Sequence, residues 1–356
     1  MCGTANWKKP PNVASGVLAL FLMGSVGCGT SFTPPSGPGN QGGSFATNEP
    51  VSGPLIGYVW DPSALGVRPI LGVSAAASMG AALYADSGYS AAVISQLRRY
   101  ALLTNKEGQT VLVTLPNGEP QTLVNQRSAL QKLALSPSGN AALIYASDLS
   151  TLTLIQGLPG TPRPQTITLP GSAAAERAVV GDTGLILIAT KQADGTSLVR
   201  SVTPSGSTAT VITAGQLGGF AFLPHSTNAL IADAAQNAVL LASGLGGTPG
   251  ISRVAGLADG IAEPMAVAAS ADGRWAVVAN RQGSTIVRVD LTNRAPISQV
   301  RCSCSPNVLL SLAGNSVFLL TPPGAGSLSL FDGDAAKPRI LFIPGIQTAS
   351  ARGMMR

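Results

Sequence analysis

A chain of 356 residues with 45% hydrophobic content can build a sizeable core, yet only 11% of its residues are charged, and Gly (42) and Pro (26) are abundant. So few Lys and Glu exclude long solvated helices, and a pool of Ala, Leu, Val, Ser, Thr and Gly suits many short strands joined by tight turns. The net charge of +6 includes Lys8 and Lys9, the other basic residues are scattered around the Arg98-Arg99 pair, and no basic stripe interleaves with aromatics, so nucleic acid is not an expected partner.

Residues 1–27 read as an export signal: Lys8-Lys9 supply a basic start, and the run from Val13 to Gly27 supplies an apolar core of about 15 residues, short for a membrane-crossing helix. The run ends in Ser25-Val26-Gly27-Cys28, which resembles a bacterial lipobox with Ser25 where Leu is usual. That resemblance implies lipidation of Cys28; an ordinary cleaved signal is the alternative. Residues 28–54 are Pro, Gly, Ser, Thr and Asn with little apolar content, too little to offset the entropy of ordering, so a flexible linker is expected. The expected arrangement is an exported protein, periplasmic or at the cell surface, tethered to the membrane by a lipid. The folded part is expected over 55–345, with a tail at 346–356.

Within 55–345 one pattern recurs every 40–47 residues: a turn followed by an apolar strand. The copies are QLRRYALLTN (96–105), SPSGNAALIYA (136–146), VGDTGLILIAT (180–190), LPHSTNALIAD (223–233), SADGRWAVVAN (270–280) and SLAGNSVFLLT (311–321). Each is preceded by a small-residue strand, NVLLSL in the last copy, and followed by a third such as QTVLVTL or STIVRVDL. A fourth is visible in five copies, as in PQTLV and PRILFI. Runs of five to seven residues rich in β-branched side chains, cut by turn-forming pairs, are strands of an antiparallel meander. Four strands at this period match a β-propeller blade, because one sheet cannot bury both faces whereas blades stacked radially can. Six units are countable, and LIGYVWD (55–61) with VRPILGV (67–73) reads as the outer two strands of another. The expected fold is therefore all-β, a propeller of four-stranded antiparallel blades, with seven blades preferred over six plus an N-terminal hairpin.

The clearest copy resembles the YVTN-type propeller repeat, and more distantly the NHL and WD40-like propellers. Ser270-Ala271-Asp272-Gly273 stands for the turn, Val277, Val278, Ala279 and Asn280 for the next strand, and Val287, Val289 and Asp290 for the third. Ser136-Pro137-Ser138-Gly139 repeats the turn, and no Trp-Asp pair ends the blades. The resemblance implies a fold; binders and enzymes share this scaffold.

Chemistry is sparse. The single histidine, His225, stands in a turn with no metal-ligand spacing around it, and no Gly-x-Ser-x-Gly elbow accompanies it. Cys302 and Cys304 offer two soft ligands and no second pair, so they read as two unpaired thiols or as a local disulfide. Asp332-Gly333-Asp334 lacks the further oxygens of a calcium loop, and Gly244-Leu245-Gly246-Gly247 reads as a turn. Glu176 and Glu263 stand before inner strands, where a channel mouth is expected. No catalytic, metal or cofactor residue is assigned. The expected function is a monomeric binding or assembly scaffold for an envelope protein or glycan, with the scarce aromatics Trp60, Tyr89, Tyr100 and Phe222 as candidate anchors or inter-blade core. A lactonase-like metal-assisted hydrolase and a purely structural envelope component are the alternatives.

Overall fold

The computed structural model describes residues 54–345 apart from 74–75, 126–130, 147–150, 170–174, 314–315, 322–325 and 334–336. The export signal, Cys28, the 28–54 linker up to residue 53, the 346–356 tail and Asp334 lie outside the described residues.

Seven antiparallel sheets follow one another along the chain. The first has three strands: β1 (Leu55–Asp61), β2 (Gly66–Val73) and β3 (Ala76–Met79). The second has β4 (Tyr89–Ile94), β5 (Tyr100–Asn105), β6 (Gln109–Thr114) and β7 (Gln121–Asn125). The third has β8 (Gln131–Leu135), β9 (Ala141–Ala146), β10 (Thr151–Gln156) and β11 (Arg163–Thr168). The fourth has β12 (Ala175–Val180), β13 (Ile186–Lys191), β14 (Ser197–Val202) and β15 (Thr208–Ala214). The fifth has β16 (Leu217–Phe222), β17 (Ala229–Asp233), β18 (Ala238–Ser243) and β19 (Gly250–Ala255). The sixth has β20 (Pro264–Ala269), β21 (Trp275–Asn280), β22 (Thr285–Asp290) and β23 (Ala295–Arg301). The seventh has β24 (Leu310–Ala313), β25 (Val317–Leu319), β26 (Leu328–Asp332) and β27 (Arg339–Ile343).

Alternation along the strands explains why sheets become blades. On β9, Ala141, Leu143 and Tyr145 pack toward the fourth sheet, while Ala142 and Ile144 pack toward the second. On β21, Ala276 and Val278 face the fifth sheet and Val277 and Ala279 the seventh. Every sheet is thus apolar on both faces and needs two neighbours. Apolar clusters join all consecutive sheets, and one more joins Ile56, Val59 and Ile70 of the first to Leu312, Leu319 and Leu330 of the seventh. The molecule is a closed, seven-bladed β-propeller of mostly four-stranded blades.

The ring corrects three local expectations. LIGYVWD is the innermost strand of the first blade rather than an outer one: Gly57 lies so near β24 that an added Cβ would stand 3.0 Å from Leu312 Cβ. That blade takes VRPILGV as its middle strand and a third from residues 76–79, continued by the bridge between Val67 and Leu83. The fifth blade has a fourth strand, GISRVA, and the inner strand of the seventh begins at Leu310 rather than Asn307.

Candidate functional site: the central channel

Each blade opens with its innermost strand, and these seven strands surround a cavity of about 690 Å³, within the usual range for ligand pockets. Tyr58–Trp60 of β1, Ala92–Ile94 of β4, Leu133–Leu135 of β8, Ala178–Val180 of β12, Phe220–Phe222 of β16, Ala266–Ala269 of β20 and Leu310–Leu312 of β24 form its wall. Of these, only Ser311, Tyr58 and Trp60 carry a side-chain polar atom. Small residues on β20 suit the crowded centre, and the glycines of β16 show the limit of that crowding. A Cβ on Gly218 would stand 1.8 Å from the Pro264 carbonyl oxygen, so only glycine lets blades five and six meet there.

Polar lining groups gather at the two ends. Arg177 and Asn307 sit where inner strands begin; Gln96 and Ser136 sit where they end. The Arg177 guanidinium reaches from blade four over the next blade, its Nη1 donating to the Gly218 carbonyl at 3.2 Å. Among the described residues, no carboxylate pairs with it and none lines the cavity.

The rim where the inner strands end is knitted by turns. Asp182, in the turn after β12, accepts hydrogen bonds from the Ser138 N–H at 2.8 Å, the Ser138 hydroxyl at 2.7 Å and the His225 N–H at 2.8 Å. One carboxylate thereby ties turns of blades three, four and five. His225 itself is 79% exposed, with Nδ1 3.8 Å from Asp182 Oδ2. Its backbone holds φ at 52°, and its imidazole joins no cluster of three metal-ligating side chains among the described residues.

The remaining sequence candidates fall in several places. Glu176 accepts from the Ser197 hydroxyl at 2.7 Å, and Glu263 pairs with Arg281 Nη1 at 2.7 Å. Neither lines the cavity. Asp332 is buried and faces Arg339 at 3.3 Å. Tyr89, Tyr100 and Phe222 belong to inter-blade core, and Trp60 and Phe222 border the channel. Cys302 is buried in the cluster between blades six and seven, with its Sγ beside that of Cys304 and their Cα atoms 5.0 Å apart. Gly244 and Gly247 close a turn between β18 and β19 through a 2.9 Å backbone hydrogen bond. The Arg177 position and the apolar cavity were not singled out from sequence, since seven segments far apart in the chain build that wall.

No protein-family model matches the chain, and no curated protein matches it. Among solved structures, a functionally unknown protein from Desulfotomaculum acetoxidans aligns over 82% of this chain and 100% of its own, at 13% identity and a TM-score of 0.53. The β-propeller domain of Cps50 (Swd1) from Myceliophteria thermophila aligns over 71% and 85% at 10% identity, with a TM-score of 0.49. A chain of the nidogen/laminin complex aligns over 70% and 92% at 13% identity, with a TM-score of 0.43. Identities this low concern the fold alone, and the first of these agrees with the strand topology: the chain is a seven-bladed β-propeller.

Proposed function

We propose that this protein is an exported, envelope-associated binding scaffold with a YVTN-type repeat, held to the membrane through Cys28 and engaging an envelope protein or glycan on its rim. The observation that carries this reading is a closed ring whose apolar channel and turn-lined rim offer contact surface, while no three metal-ligating side chains converge among the described residues. The fold is commonly a binding scaffold. A lactonase-like hydrolase would need carboxylates at the channel, and its two nearest candidates, Glu176 and Glu263, are engaged elsewhere. A photo-crosslinking residue placed at Gln96, on the rim, is expected to capture a partner in cells, whereas one placed at Ile251, on an outer strand, captures none. Equal capture at both positions would count against the reading.

The leader and linker support the anchor, and fractionation tests it: the wild type is expected with membranes, and a Cys28→Ser variant in the soluble fraction. The placement of Cys302 and Cys304, with Cα atoms 5.0 Å apart, supports a disulfide between them. Alkylation before reduction is expected to leave both unmodified in the exported protein; two alkylated cysteines would refute the pairing.

A further inference from the structure

We infer that Cys302 and Cys304 form a thiol-exchange centre that passes its disulfide to a cysteine pair of a partner protein, an inference that rests on the pairing proposed above. As a staple the bridge does little. Both cysteines lie in the crossing between β23 and β24, two positions apart, so the bond joins no two blades. A crosslink stabilises mainly by what it closes off in the unfolded chain, and a loop with Ser303 alone between its ends closes off the least. Backbone and packing hold this crossing without it. The Cys302 N–H donates to the Ser284 carbonyl at 2.7 Å, and Cys302, 3% exposed, belongs to the cluster of Ile286, Phe318 and Leu320.

The two sulfurs are unequal, and the inequality gives exchange a direction. Cys302 is buried, whereas Cys304 is only partly buried and is flanked by exposed Ser303 and Ser305, so an incoming thiolate meets the Cys304 sulfur first. The bond between the sulfurs then breaks with its electron pair going to Cys302 Sγ, and that atom already accepts the Cys304 N–H at 3.2 Å. Burial opposes the charge of a departing thiolate, and this N–H is the donor that offsets it. Arg301, exposed and the sole charged side chain of residues 301–310, adds a positive field that favours both thiolates. In the second step the partner's other thiolate attacks the partner's own sulfur in the mixed disulfide. The partner's disulfide forms, Cys304 leaves as a thiolate, and the two protons shed by the partner's thiols go to Cys302 and Cys304. A small disulfide such as oxidised glutathione restores the pair by the reverse sequence.

The test uses the full chain carrying Cys2→Ser and Cys28→Ser, in which Cys302 and Cys304 are the remaining cysteines, with glutathione as probe. In about 5 mM glutathione, about ten parts reduced to one oxidised, more than about a tenth of the pair is expected as dithiol, at a poise where a structural staple stays oxidised. Reduction should lower the melting temperature by no more than about 4 °C. With oxidised glutathione, Cys302→Ser is expected to form a mixed disulfide at Cys304 about tenfold faster than Cys304→Ser forms one at Cys302. Should either variant fail to fold, limited iodoacetamide on the reduced parent, mapped by fragment mass, decides the same order, with Cys304 modified first. A pair that stays fully oxidised in that buffer, a larger loss of melting temperature, or a Cys302 that reacts as fast as Cys304 would overturn the inference. Peptide mass of the untreated protein reports the pairing separately. An intact bridge without exchange removes this inference and leaves the pairing, and neither result touches rim capture at Gln96.

Discussion

Burial pushes the Asp182 carboxyl upward in pKa, but hydrogen bonds from the Ser138 hydroxyl, the His225 N–H, the Ser138 N–H and Ser136 outweigh it and hold the group below its ordinary value. A carboxyl depressed on folding binds fewer protons in the native state, so its stabilisation is present above the ordinary carboxylate range, about pH 4, and is lost as pH falls below it. Asp182→Ala is expected to cost about 2–4 kcal/mol in urea unfolding at pH 7, because the Ser138 and His225 N–H groups lose a charged acceptor. The difference between variant and wild type should shrink as unfolding is repeated toward pH 3; a gap independent of pH would refute the assignment. Gly218 is the steric counterpart. With the Pro264 oxygen 1.8 Å from any added Cβ, Gly218→Ala is expected to cost about 3 kcal/mol or more, read in the same assay. A near-neutral result would mean that blades five and six are farther apart.

At the scale of elements, the repeat motif has a mechanical meaning. In SADG, the Ser270 hydroxyl donates to Asp272 at 2.6 Å and accepts the Trp275 N–H at 3.2 Å, while Asp272 accepts the Arg274 N–H at 3.1 Å and Gly273 takes φ of 68°. The polar residue ending the second strand works at the other end of the blade. Asn280 donates to the Gly260 carbonyl at 2.8 Å and to Thr285 at 3.0 Å, and accepts the Ala262 N–H at 3.2 Å. Asp233 accepts backbone N–H groups on both sides of its own strand in the same way, and Asn105 accepts that of Gln109 at 2.8 Å. Asn280→Ala, which strips three bonds from a fully buried site, is expected to cost about 2–3 kcal/mol by thermal or urea unfolding. A change below about 0.5 kcal/mol would show that the motif is decorative. The turns are legible because they are local, with the bonded residues of SADG within five positions of one another, whereas the caps of Asn280 and Asp233 reach back 18–20 positions to the segment before the inner strand. β1 was misplaced for a related reason. Inner strands elsewhere are rich in small residues, and Tyr58 and Trp60 look too large for the centre, yet Tyr58 packs against blade two and Trp60 helps fill the channel. β19 was passed over because Gly250 and Arg253 weaken its apolar pattern on an outer, half-exposed strand.

For the whole molecule, the ring is only as closed as its last interface. Ile56, Val59 and Ile70 bury against Leu312, Leu319 and Leu330, and among the described residues no strand is exchanged between the first and seventh blades. Closure thus rests on side-chain packing, and Ile70→Ala, at a fully buried position, is expected to cost about 2–5 kcal/mol. The blade count can be approached from sequence only through spacing, and a channel is expected from the repeat, but which residues line it is not legible, since its wall is an emergent product of seven inner strands. The most direct test of the closed seven-bladed ring is a disulfide trap between Gly57→Cys and Leu312→Cys, two positions whose Cβ atoms would meet across that interface. The account predicts an intramolecular crosslink between the β1 and β24 peptides on mild oxidation, found by peptide mass in monomeric protein. No such crosslink, or one formed only between molecules, would contradict closure of the ring by the first blade.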